Sequence, residues 1–147
     1  GDVYKRQELW RVTVEGGAGR LDLIFEHLWG VLSALSGEES LSHHALYREL
    51  SELVGEDVLK TKEEKVLRRR DELLLEIDVI YGTDSAPLLA AAGGLWAEFK
   101  QEFLKRELEE ALLRLRKAEQ RKDDVEIDKY LKKCQTISQS LNNLNSQ

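Results

Sequence analysis

The stretch Trp96–Leu144, WAEFKQEFLKRELEEALLRLRKAEQRKDDVEIDKYLKKCQTISQSLNNL, decides the fold. Phe99, Phe103, Leu108, Leu112 and Leu115 form an apolar series, with Leu104, Ala111 and Ala118 on adjoining faces. That periodicity, uninterrupted by proline, predicts one helix running to about Arg121. At about 1.5 Å per residue such a helix spans about 39 Å, more than a small bundle needs, so it is expected to protrude. Glu102 with Arg106 and Glu110 with Arg114 are four-residue pairs that support its exposed side. Lys122-Asp123 supplies a turn, and Asp123 followed by Glu126 has the form of a capping box. Ile127, Leu131, Cys134, Ile137 or Ser138, Leu141 and Leu144 then continue at coiled-coil-like spacing, so the two helices are expected to pair antiparallel. Leu112, Leu115, Ile127, Leu131 and Ile137 are expected to hold them together, and the Asn-rich end to fray.

Towards the N-terminus the same reading gives further helices. Leu21, Ile24, Phe25, Leu28, Leu32 and Leu35 recur at three- and four-residue steps, ending at Gly37. Ser42 is placed to cap a second helix bearing Leu46, Leu50 and Leu53, which Gly55 terminates. A third, longer helix is expected from about Asp57 to Ile80, before Gly82. Pro87 suits the first turn of a new helix, and Gly93-Gly94 reads as a joint ahead of the long helix. The predicted fold class is therefore all-α: a small helical bundle at 20–95 followed by a C-terminal antiparallel helical hairpin at 96–147. Residues 1–19 read as a lead-in, with Gly16, Gly17 and Gly19 as a flexible stretch. The chain holds no methionine, and Gly1–Gln7 resembles the translated remnant of a sequencing adapter, so a truncated start is expected.

Composition narrows the function. At 147 residues the chain suits one small domain with an appendage, and 41% hydrophobic residues are too many for wholesale disorder. A formal net charge of -6 disfavours direct binding to nucleic acid, and protein partners are favoured. Cys134, as the only cysteine, excludes an internal disulfide and a cysteine-rich zinc site, and suggests a cytoplasmic protein. No apolar run approaches the roughly 20 residues of a membrane span.

Catalytic chemistry is not apparent. No Glu stands three residues before His27, His43 or His44, so a dimetal carboxylate bundle is missing, and the adjacent pair His43-His44 points about 100° apart on a helix. Cys134 falls on an apolar stripe and reads as a small buried hydrophobe. Gly16-Gly17-Ala18-Gly19 lacks the lysine and hydroxyl of a phosphate loop. Lys60, Lys62, Lys65, Arg68, Arg69 and Arg70 form a basic run diluted by Glu63, Glu64, Asp71 and Glu72, which reads as a solvated helix face. Trp10, Trp29 and Trp96 are assigned to packing before binding.

From Lys105 to Leu144 the order of elements is Leu108-Glu109-Glu110-Ala111-Leu112, Leu115-Arg116-Lys117-Ala118-Glu119, Lys122-Asp123-Asp124-Val125-Glu126-Ile127 and Leu131-Lys132-Lys133-Cys134-Gln135-Thr136-Ile137-Ser138. This order resembles the C-terminus of bacterial DNA primases. The resemblance implies a non-catalytic fragment, without cofactor or metal, that binds the hexameric replicative helicase and couples priming to unwinding. The full-length parent would be a primase-type RNA polymerase whose catalytic domains lie upstream. Contact residues are then expected beside the seam, at Leu113, Arg116, Tyr130, Lys133 and Gln135. The alternative is a helical adaptor that self-associates through the same hairpin.

Overall fold

The computed structural model describes residues 18–38, 41 and 44–146. Among them the fold is all-α, with six helices and no strand: α1 (Ala18–Ser36), α2 (Ala45–Val54), α3 (Glu56–Leu67), α4 (Arg70–Tyr81), α5 (Ser85–Arg121) and α6 (Asp124–Asn145). Contacts divide the chain into two units, Gly1–Phe99 and Lys100–Gln147, and α5 supplies residues to both.

In the first unit α1 is the central element. Leu21, Phe25, Leu28, Trp29 and Val31 are all essentially inaccessible, more than a one-sided stripe delivers, because α1 is apolar on most of its circumference. The Phe25 ring packs against Trp29 and Phe99, with centroids 6.0 and 6.2 Å away. Trp29 is thus a core residue, while Trp10 lies outside the described residues. Gly37, at φ +71°, ends α1 and donates its N–H to Ser33 O at 2.8 Å.

α4 crosses α1 at Gly30, where a Cβ would sit 2.9 Å from Ile77 Cγ1. The missing side chain lets the two helices approach, and Val31, Ile77 and Leu88 close a cluster around the crossing. Polar ties bind α1 to its neighbours: Lys62 Nζ of α3 to Asp22 at 2.7 Å, Arg69 at the α3–α4 junction to Glu26 at 3.0 Å, and His27 Nε2 with the Tyr81 hydroxyl of α4 at 2.7 Å.

Three expectations need correction here, and a fourth falls outside the described residues. The single helix from Asp57 to Ile80 is two, α3 and α4, because Arg69 leaves helical geometry (φ −113°, ψ 16°). No glycine or proline marks that break. It follows from α3 and α4 both having to reach α1, which the ties from Lys62 and Arg69 record. The joint at Gly93-Gly94 does not exist, since α5 runs unbroken for 37 residues from Ser85, with Pro87 in its first turn. A Cβ at either glycine would meet nothing within 4 Å, and packing by Leu88, Ala91, Ala92 and Leu95 outweighs a propensity penalty of about 1 kcal/mol each. Gly19 is helical, inside α1 and not in a linker, and residues 1–17 lie outside the described residues. Finally, α2 is capped by His44, whose Nδ1 accepts from Leu46 N–H at 3.1 Å; the Ser42 expectation falls outside the described residues.

Candidate protein-docking surface

In the second unit the chain reverses after α5. Lys122 takes φ 56°, Asp123 N–H bonds back to Ala118 O at 3.1 Å, and Asp123 Oδ1 accepts from Glu126 N–H at 3.2 Å. This Asp side chain satisfies a donor that the first turn of α6 cannot pair internally. Gln101 then bonds Asn145 at 3.4 Å, and Ala111, Cys134 and Ile137 form a common core with Leu104, Leu108, Leu115 and Leu141.

The register of the seam follows from spacing. On α5 the inward positions are 104, 108, 111, 115 and 118; on α6 they are 127, 130, 134, 137 and 141, each series alternating four- and three-residue steps. Small residues, Ala111 at 1% and Ala118 at 0% exposure, sit at the heart of α5, so the helices can approach closely. Charges outside the seam pair along their own helix: Arg106 with Glu102 at 3.0 Å, Arg114 with Glu110 at 2.8 Å and Lys132 with Asp128 at 2.9 Å.

This register redistributes the residues singled out from the sequence. Tyr130 is only 4% exposed, so it belongs to the seam and not to a contact surface. Its neighbour Leu131, expected in the seam, is 44% exposed, and Leu112, also expected inside, is 39% exposed. The physical reason is one position of register: each follows a buried residue (Tyr130 or Ala111) by one step, about 100° around the helix. Because the paired helices run in opposite directions, both displacements lead to the same side of the pair. Arg116 and Gln135, exposed and four residues beyond Leu112 and Leu131, continue that side. Leu113, 46% exposed, lies on the back of α5, and Lys133, half-buried, lies across the seam from Leu131's side. Of the five expected contact residues, only Arg116 and Gln135 therefore share one surface, and Leu112 and Leu131 complete it. A strict alternation of four and three along α6 from Leu141 back to Ile127 selects Tyr130 over Leu131, so the signal was present in the spacing.

Cys134 is buried at the centre of the seam. Burial pushes its thiol up from the ordinary range, against the opposing pull of the Lys133 charge, so it stays protonated near neutral pH. Among the described residues no group of three or more His, Cys, Asp or Glu side chains is placed to hold a metal ion, and no helix is long and apolar enough to cross a membrane. The surface presents two leucines flanked by a guanidinium and an amide, on a scaffold held by its own core. Compared with protein-family models, curated proteins and solved structures, the chain matches none.

Proposed function

We propose that the chain is a non-catalytic helical docking module, the C-terminal part of a bacterial DNA primase, and that it grips the ring-shaped replicative helicase through the Leu112–Leu131 side of α5 and α6. The observation that supports docking is the exposure of Leu112 and Leu131 on one side of a pair whose seam is already filled. A leucine at 39% or 44% exposure still has surface to bury, and a partner helix laid along the two would remove it from water. The choice of partner rests on the resemblance of Lys105–Leu144 to the primase tail. The net charge of -6 fits a role in which the ring, and not this chain, holds the DNA.

Titration of the full chain against the hexameric helicase by calorimetry tests the reading. The double substitution Leu112→Ala with Leu131→Ala is expected to weaken binding by at least about tenfold, equivalent to about 1.4 kcal/mol, while Leu113→Ala leaves affinity unchanged. No heat of binding from the native chain removes the helicase as partner, and an unaltered affinity in the double variant removes this face. The same leucine pair is also suited to a second copy of itself about a two-fold axis. Sedimentation equilibrium separates the two readings, since a tight dimer indifferent to helicase replaces the first with the second.

A further inference from the structure

A second apolar surface lies on α4, in the first unit. α4 buries Leu73 and Ile77, at 4% and 2% exposure, beside α1. Leu75 and Val79 come two residues after each of these, about 200° around the helix, and so occupy the opposite face. They are 66% and 78% exposed. Being four residues apart they form one ridge, and Ile80, 57% exposed, widens the apolar area at its end. Helical geometry puts Glu72 and Glu76 along one flank of the ridge and Asp71 and Asp78 along the other, all four exposed. The surrounding sequence reinforces that sign. Between Arg70 and Lys100 the chain carries no Lys, Arg or His but six carboxylates, at positions 71, 72, 76, 78, 84 and 98.

We propose that this face docks a basic amphipathic helix of a partner protein, whose apolar row packs on Leu75 and Val79 while its flanking Lys and Arg pair with Glu72, Glu76, Asp71 and Asp78. Charge selects this occupant. An acidic rim repels the phosphates of nucleic acid and the anionic headgroups of a membrane surface. A second copy of this chain carries the same net charge of -6, so two copies repel one another on approach. Its densest basic run is on α3 and the α3–α4 junction, where Lys60 is paired with Glu56, Arg69 with Glu26 and Glu72, and Val58, Leu59 and Val66 are turned inward. No exposed large apolar residue of α3 is left to meet the ridge. The four flanking carboxylates steer a basic partner and set its register, and the short ridge makes the contact a weak, readily reversed one. The proposal is independent of the helicase reading, because it rests on a different unit and different residues.

The probe is a synthetic leucine–lysine peptide with leucines at three- and four-residue spacing, titrated into the isotopically labelled full chain and followed by amide chemical shifts. The control is a peptide of the same composition with strictly alternating residues. Expected are shifts concentrated between Asp71 and Gly82, and affinity that falls by about tenfold or more from low to high salt. Two variants sharpen the reading: Leu75→Gln with Val79→Gln, and Glu76→Lys with Asp78→Lys, each expected to weaken binding by about tenfold without changing the melting temperature, since all four side chains are exposed. Shifts centred on Leu112 and Leu131, equal binding of the alternating peptide, undiminished affinity in either variant, or a self-association through α4 that the peptide fails to displace each overturns the proposal.

Discussion

The two units are both helical, yet they are held together differently. In the first, large side chains meet across distant positions in the chain: Phe25 with Phe99, Ile77 against the gap at Gly30, and ion pairs such as Lys62–Asp22 and Arg69–Glu26 that span some forty residues. In the second, the seam is built from alanines, leucines, isoleucines, a tyrosine and a cysteine at regular spacing, and the ion pairs are four residues apart on the same helix. The contrast separates stability that depends on unique fit from stability that depends on repetition. A unique fit fails when one piece is removed or enlarged, whereas a repeating seam tolerates single losses and is most sensitive where the repeat must begin, at the turn.

Substitutions at five positions press on that difference. The largest effect is expected from Phe25→Ala, which empties the centre of the first unit and costs about 3–5 kcal/mol, measurable by urea denaturation followed through Trp29 fluorescence. A cost below that of an ordinary surface change would show that the aromatic cluster is not what holds the unit. Gly30→Ala comes next, at about 1–3 kcal/mol, because the new methyl meets Ile77 at 2.9 Å and overrides the gain in helix propensity. Its counterparts Gly93→Ala and Gly94→Ala, in open space on α5, are expected to stabilise by up to about 1 kcal/mol each, so the three glycines together set fit against propensity in one thermal-melting series. In the second unit Asp123→Ala removes the cap of α6 and is expected to cost about 1 kcal/mol, with Asp123→Asn retaining most of it.

The smallest effect concerns Glu63 on α3, where burial first and the neighbouring Glu64 second push the carboxyl above its ordinary range. A raised folded-state pKa means the protonated form favours folding. Its contribution is present below the unfolded carboxylate pKa and is lost as pH rises through the folded one. Glu63→Gln, which mimics the protonated form, should therefore raise the melting temperature slightly at neutral pH and leave it unchanged in acid. An equal gain at both pH values would point to packing instead of charge.

Legibility in the sequence followed the same division. The reversal at Lys122-Asp123, the cap, and the helical extent of α5 and α6 beyond Trp96 are all visible in local spacing and side-chain chemistry, because each depends on residues within a few positions of one another. The candidate surface was only partly legible. Arg116 and Gln135 are exposed beside the seam, but preferring Leu131 to Tyr130 as the inward residue moved the seam by one position, and a hydropathy scale ranks those two the other way from their burial.

By itself, then, the order of residues determined that this chain is all-α, that helices stop at Gly37, Gly55 and Gly82, and that α6 would carry a heptad-like stripe, since these follow from hydrogen bonding and periodicity within one segment. Only the tertiary structure decided that α3 and α4 part at Arg69 and that Gly30 is a contact point while Gly93 and Gly94 are ordinary helix. Those outcomes depend on which distant side chain occupies the space opposite, and no local pattern encodes the identity of that neighbour.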